Sequence, residues 1–128
     1  MLPQPLIAVR DVERSSHWYQ KLLGCTSGHG GKQYEQLLLE GRMVMQLHKW
    51  GDHDHSNLAN PDEAAHGHGV LLWFETSQFD DAVKRVRDLK PEIVEEPHVN
   101  KNAQHREVWV RDPDGYIVVL ASPYGDTG

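Results

Sequence analysis

Apolar residues recur along this chain with two periods, and the two alternate in the same order twice. Leu6-Ile7-Ala8-Val9 is a short apolar run of strand type. Asp11 follows as an N-cap, and Val12, Tyr19, Leu22 and Leu23 then share one helical face. Gly24 stands where a helix ends in a left-handed residue, a conformation glycine adopts cheaply. A weakly marked strand comes next. Glu40-Gly41-Arg42 is then a hairpin signal between strands Tyr34–Leu39 and Met43–His48.

The second half repeats this order. Val70–Phe74 reads as a buried strand, and Ser77 with Asp80 resembles a capping box. Phe79, Ala82, Val83, Val86 and Leu89 fall at amphipathic helical spacing, and Pro91 bars continuation. Ile93-Val94 is a short strand candidate. Glu107–Val110 and Tyr116–Leu120 flank Asp112-Pro113-Asp114-Gly115, in which every residue suits a tight turn. The expected fold is α+β: two repeated βαβββ modules, at about 4–48 and 68–122, within one domain spanning 1–128 and joined by a linker or lid loop at 49–67.

Neighbouring strand residues point to opposite faces, so parity sorts the side chains. Met43, Met45 and Leu47 should meet a helix, leaving Val44, Gln46 and His48 opposite. Val108 and Val110 look helix-facing, leaving His105, Glu107 and Trp109 together, and parity adds Leu71 and Trp73 to that open side. The expectation is a cupped, mostly antiparallel sheet with helices on its outer face. Its concave side would carry imidazoles, an amide, a carboxylate and indoles, a lining suited to an enclosed small molecule.

The run Val9-Arg10-Asp11-Val12-Glu13-Arg14-Ser15-Ser16-His17-Trp18-Tyr19, closing on Leu22-Leu23-Gly24, resembles the first strand–helix signature of the vicinal oxygen chelate superfamily. Phe74-Glu75 with Phe79-Asp80-Asp81-Ala82-Val83 is similar to its second unit, and Arg111-Asp112-Pro113-Asp114-Gly115-Tyr116 to its late motif. That group includes glyoxalase I, bleomycin-resistance proteins, fosfomycin-modifying enzymes and extradiol dioxygenases. The resemblance covers nearly all of the chain outside the 49–67 loop. It implies paired modules forming a cup that a homodimer completes, and in the enzymes a metal held by His, Glu or Gln on four strands. Those four positions fall here at Gln4, Gln46, Leu71 and Val119. Two hydrocarbon side chains coordinate nothing, and two neutral amides are poor ligands for a dication. The expectation is that the family's metal site is lost and that no cofactor is bound.

Composition narrows the partners. A formal net charge of -6 argues against phosphate-backbone binding, and Arg85 and Arg87 read as a solvated helix face. No stretch approaches the roughly 20 apolar residues of a membrane span. Met1-Leu2-Pro3-Gln4-Pro5 lacks the regions of a signal peptide, so a cytoplasmic protein is expected, in keeping with the lone Cys25. The nine histidines are the unusual feature. His53, His55, His66 and His68 lie among Asp52, Asp54, Asp62 and Glu63, either as a transition-metal-binding loop or as a solvated lid with a turn at Asn60-Pro61-Asp62. His48, His105 and Glu107 offer a second set, either a relocated divalent metal site or a polar pocket lining. His17 and His98 read as surface residues, and Trp18 as packing. Trp50 stacks on a ligand or caps the core. Cys25 has no activating neighbour in sequence.

Two functions follow. In the first, Gln4, Gln46, His48, Trp73, His105, Glu107 and Trp109 bind a polar or aromatic small molecule without metal. In the second, an enzyme of lyase, isomerase or dioxygenase-like type uses His48 and Glu107 as an acid–base pair, or a displaced metal.

Overall fold

Strand β1 (Leu6–Val9) leads into helix α1 (Val12–Leu23), followed by β2 (Thr26–Ser27), β3 (Tyr34–Leu39) and β4 (Arg42–Lys49). The order recurs as β5 (Leu71–Glu75), α2 (Phe79–Leu89), β6 (Glu92–Asn100), β7 (His105–Arg111) and β8 (Ile117–Ala121). These elements are those of a computed structural model that describes residues 2–51, 55–62 and 67–128. The chain divides into two units, Met1–Ala65 and His66–Gly128.

Each unit is one βαβββ repeat with its own four-stranded sheet, ordered β1-β4-β3-β2 and β5-β8-β7-β6. The architecture is α+β as expected. The strands pair mostly antiparallel, as expected, in two four-stranded sheets that each hold one parallel pair, β1 with β4 and β5 with β8. A helix between first and last strands is what permits those parallel pairs.

Local chemistry accounts for most element ends. The Asp11 carboxylate accepts from the Arg14 amide at 3.0 Å, and Gly24 closes α1 at φ 72°. Glu40 and Gly41 both have positive φ, 52° and 79°, the backbone of a tight hairpin whose twist matches its strands. The Asp112 carboxylate accepts from the amides of Asp114 and Tyr116 at 2.8 and 2.9 Å, which locks the 112–115 turn.

The start of α2 departs from expectation. Its N-cap is Gln78, and no side chain caps the helix. The Gln78 amide instead donates to Thr76 Oγ1 at 3.1 Å. Asp80 does not reach back, because its carboxylate accepts from the Arg106 guanidinium at 2.8 Å while that guanidinium lies 4.8 Å over the Phe79 ring. A tertiary ion pair has replaced the local box.

The cores follow the parity argument. Val12, Tyr19 and Leu22 of α1 are buried, as are Leu37 and Met45 on the strands α1 packs against. Phe79, Ala82 and Val86 of α2 are buried, as are Val108, Val110 and Val118. Each fully buried Leu or Val contributes about 1.5–3 kcal/mol. In the linker, Ser56–Leu58 forms a short 3-10 turn, and Asn60 Oδ1 accepts from the Asp62 amide at 2.9 Å. His53, His66, Asp52, Asp54 and Glu63 lie outside the described residues. No helix among the described residues is long and apolar enough to cross a membrane.

Candidate functional site

On the first sheet, pairing places Tyr34 opposite His48 and Gln36 opposite Gln46, so all four share the face away from α1. Their polar groups form a chain. The Tyr34 hydroxyl donates to Gln46 Oε1 at 2.5 Å and accepts from Gln36 Nε2 at 3.2 Å. Gln46 Nε2 donates to the backbone carbonyl of Gln4 at 2.9 Å. Gln4 and Gln46 therefore meet, but through the main chain of Gln4. The Gln46 carbonyl oxygen already holds a phenol. His48 Nδ1 lies 2.8 Å from the Lys49 carbonyl, and its ring is 6.4 Å from that of Tyr34.

The opposite face of β3 carries a buried carboxylate, 3% exposed, at Glu35. It accepts from the hydroxyls of Ser16 (2.7 Å) and Ser27 (2.8 and 3.0 Å) and from the amides of Gln36 (2.9 Å) and His29 (3.2 Å). These bonds tie the segment after β2 to α1. Sequence reasoning passed over this residue, since a lone acid in a strand gives no local signal.

The second sheet concentrates its chemistry on the open face. Pairing across β7 and β8 sets Trp73, Val119 and Trp109 in one row and Leu71, Ile117 and Arg111 in the next. Strand β6 adds to these rows despite Pro97 and two register irregularities, between Ile93 and Glu95 and between Glu95 and His98. Glu95 thereby pairs with Trp109, His98 with Glu107, and Asn100 with His105. Each irregularity inserts an extra residue and re-aims the next side chain.

Glu107 is the centre of this face and is only 2% exposed. His105 Nε2 lies 2.7 Å from its Oε2, and Trp109 Nε1 donates to Oε1 at 3.1 Å. Asn100 Nδ2 lies 3.4 Å from both oxygens, and His98 Nε2 is 3.3 Å from Oε1. Burial opposes ionisation here. The bonds from His105, Trp109 and Asn100 outweigh it, so the carboxyl is held below its ordinary range as an anion. The His105 ring also sits 5.7 Å from that of Trp73.

His98 is a surface residue as expected, with 37% of its side chain exposed. It also belongs to the Glu107 cluster, which went unnoticed because β6 reads from sequence as only Ile93-Val94. Asn100 was missed for the same reason, as was Glu95, whose Oε1 lies 3.6 Å from His98 Nε2. Counting back from His105 through a 101–104 turn would have placed His98 beside Glu107. Tyr34 and Gln36 were legible by the parity that found Gln46.

At the other end of the second sheet a shallow cavity of about 320 Å³ is lined by Gly67, His68, Leu71, Arg111, Gly115 and Ile117. Arg111 is already occupied there by Glu92 and by the Gly115 carbonyl. Trp73 and Leu71 are exposed, whereas Val119 is fully buried. Neither Leu71 nor Val119 carries a donor atom for a metal. Among the described residues, Glu95, His98 and Glu107 bring their ligand atoms within 4.8 Å of one another. Cys25 is buried, with its thiol 3.6 Å from the Tyr19 carbonyl, and Trp18 meets the Tyr19 ring edge-on at 4.8 Å.

Residues 2–120 match the profile of the Glyoxalase/Bleomycin resistance protein/Dioxygenase superfamily. Three solved structures are similar in fold. An integron cassette protein from the mobile metagenome of Vibrio cholerae is 23% identical, with 95% of this chain and 94% of that one covered and a TM-score of 0.70. A glyoxalase/bleomycin resistance protein/dioxygenase family enzyme from Burkholderia phytofirmans is 16% identical, with coverage of 93% and 95% and a TM-score of 0.75. A fosfomycin resistance protein from Mesorhizobium loti is 15% identical, with coverage of 96% and 92% and a TM-score of 0.67. No curated protein matches the sequence significantly.

Proposed function

Because the chain belongs to the Glyoxalase/Bleomycin resistance protein/Dioxygenase superfamily, we propose that it is a small-molecule-binding protein of the bleomycin-resistance type, working without the metal of the family's enzymes. The observation that carries this reading is the open face of the second sheet, where a buried, multiply bonded carboxylate stands beside two indoles. Trp73 and Trp109 offer flat walls to an aromatic ligand. His105 and the anion of Glu107 favour a polar or cationic group on it, as does the net charge of -6. On the first unit, Gln46 and His48 offer an amide and an imidazole of their own for such a ligand. Gln4, Gln46, Leu71 and Val119 are an unsuitable donor set for the family's ion. The working form is a cytoplasmic homodimer that completes the cup.

A thermal-shift panel of aromatic amines and basic peptide antibiotics, run in EDTA, tests this. A binder should raise the melting temperature by mass action and be recovered unchanged. Trp109→Ala and Glu107→Gln should abolish its effect. Sedimentation should give twice the 14.6 kDa chain mass. Loss of all binding on chelation would overturn the metal-free reading.

One observation favours a second reading, an enzyme. The 2.7 Å contact of His105 with Glu107 is an oriented imidazole–carboxylate pair suited to general acid–base work. His48 then stands as a further candidate base. Consumption of the bound compound, abolished by His105→Ala, would decide for it.

A further inference from the structure

We propose that Glu95, His98 and Glu107 form a site for a borderline divalent cation of the zinc class, built on the β6–β7 hairpin and using none of the positions the family's enzymes use. The argument starts from the His98 ring. Its Nδ1 lies 2.7 Å from the Glu96 carbonyl oxygen, which only accepts, so Nδ1 carries the proton. In the neutral ring Nε2 is then a lone pair, and it faces two carboxylate oxygens, Glu107 Oε1 at 3.3 Å and Glu95 Oε1 at 3.6 Å. Three electron-rich atoms gathered in this way need a positive centre among them.

Distance separates the two candidates for that centre. A proton shared by charge-assisted hydrogen bonding draws its partners to about 2.7–2.9 Å. His105 meets that standard on the other oxygen of the same carboxylate, at 2.7 Å. His98 does not, at 3.3 and 3.6 Å. Those separations are instead the edges of a tetrahedron with bonds of about 2.0–2.2 Å, whose ligand atoms stand about 3.3–3.6 Å apart. The third edge closes by rotation of Glu95, whose side chain is 43% exposed.

The surroundings fit the same occupant. An imidazole that gives Nδ1–H to a backbone carbonyl and presents Nε2 to the ion is a common ligand arrangement. His105 and Trp109 hold the two oxygens of Glu107 in a fixed plane, as outer partners of a ligating carboxylate do. One imidazole and two carboxylates neutralise a dication. Zinc accepts such mixed nitrogen and oxygen donors, whereas magnesium and calcium favour oxygen alone.

The test is zinc titration of tag-free, EDTA-dialysed protein by calorimetry with a competing chelator. It is run in a background carrying His53→Ala, His55→Ala, His66→Ala and His68→Ala, which silences the loop. One zinc per chain should bind there. His98→Ala and Glu95→Gln, both at exposed side chains and checked for folding by circular dichroism, should each weaken it at least about a hundredfold. The Nε2 nitrogen resonance of His98 should shift on zinc addition while Nδ1 stays protonated. No zinc in the loop-silenced background, or zinc indifferent to both variants, overturns the site. The small-molecule reading is scored separately in EDTA, so either proposal can fail alone.

Discussion

Glu35 and Glu107 occupy the corresponding strands of the two units, β3 and β7, and both are almost fully buried, yet they point to opposite faces of their sheets. Glu35 turns toward the helix side and is satisfied by hydroxyls and backbone amides, groups that do not titrate near neutrality and do not move independently of the chain. Glu107 turns to the open side and is satisfied by an imidazole, an indole and an amide side chain, with a second imidazole beside it. Both arrangements meet the cost of a buried charge. Only the second leaves chemistry within reach of a ligand. A buried carboxylate is thus read by its donors: main-chain and hydroxyl donors mark a brace, and the ring of titratable and aromatic side chains around Glu107 is what supports the proposed binding face.

The sharpest way to break this contrast is Glu35→Ala. It strands several donors at once and should cost about 3 kcal/mol in urea unfolding, while leaving ligand and zinc binding to the residual folded protein unchanged. Glu107→Gln should cost less, about 1–2 kcal/mol, yet abolish binding. The same variant sharpens the comparison through pH, measured in EDTA. Because its proton is held less tightly in the folded than in the unfolded chain, Glu107 adds stability above its ordinary value of 4.5 that fades as pH falls below it. The stability gap between wild type and Glu107→Gln should therefore narrow in acid. The helix starts give the smallest pair of effects. Asp11→Ala should cost about 1 kcal/mol in the first unit. Ser77→Ala in the second should stay within about 0.5 kcal/mol, since Ser77 caps nothing. A loss at Ser77 equal to that at Asp11 would contradict the observed geometry.

What was legible in sequence was whatever depends on near neighbours. Alternation alone set Gln46 and His48 on one face of β4 and His105, Glu107 and Trp109 on one face of β7, because side-chain direction in a regular strand is a two-residue matter. The turn at Asp112–Gly115 was legible for the same reason. Failures came where a distant partner decided. Asp80 was drawn from its helix by Arg106, 26 positions away. Strand β6 was cut short because Glu95, Glu96 and Pro97 break its apolar rhythm, and only pairing with β7 carries it to Asn100. With that strand went His98, and with His98 the composition of the Glu107 cluster.

The irregular register of β6 makes its spacing a kind of reading frame. Glu92, Glu95, His98 and Asn100 reach one face through intervals of three, three and two residues. A substitution at Val94 or Pro97 alters one contact and keeps that frame. Deletion of a single residue between Glu95 and His98 removes the bulge and leaves the two on one face at the plain two-residue interval, so their natural three-residue spacing shares that face only because of the irregularity. In this hairpin the count of residues carries as much information as their identity.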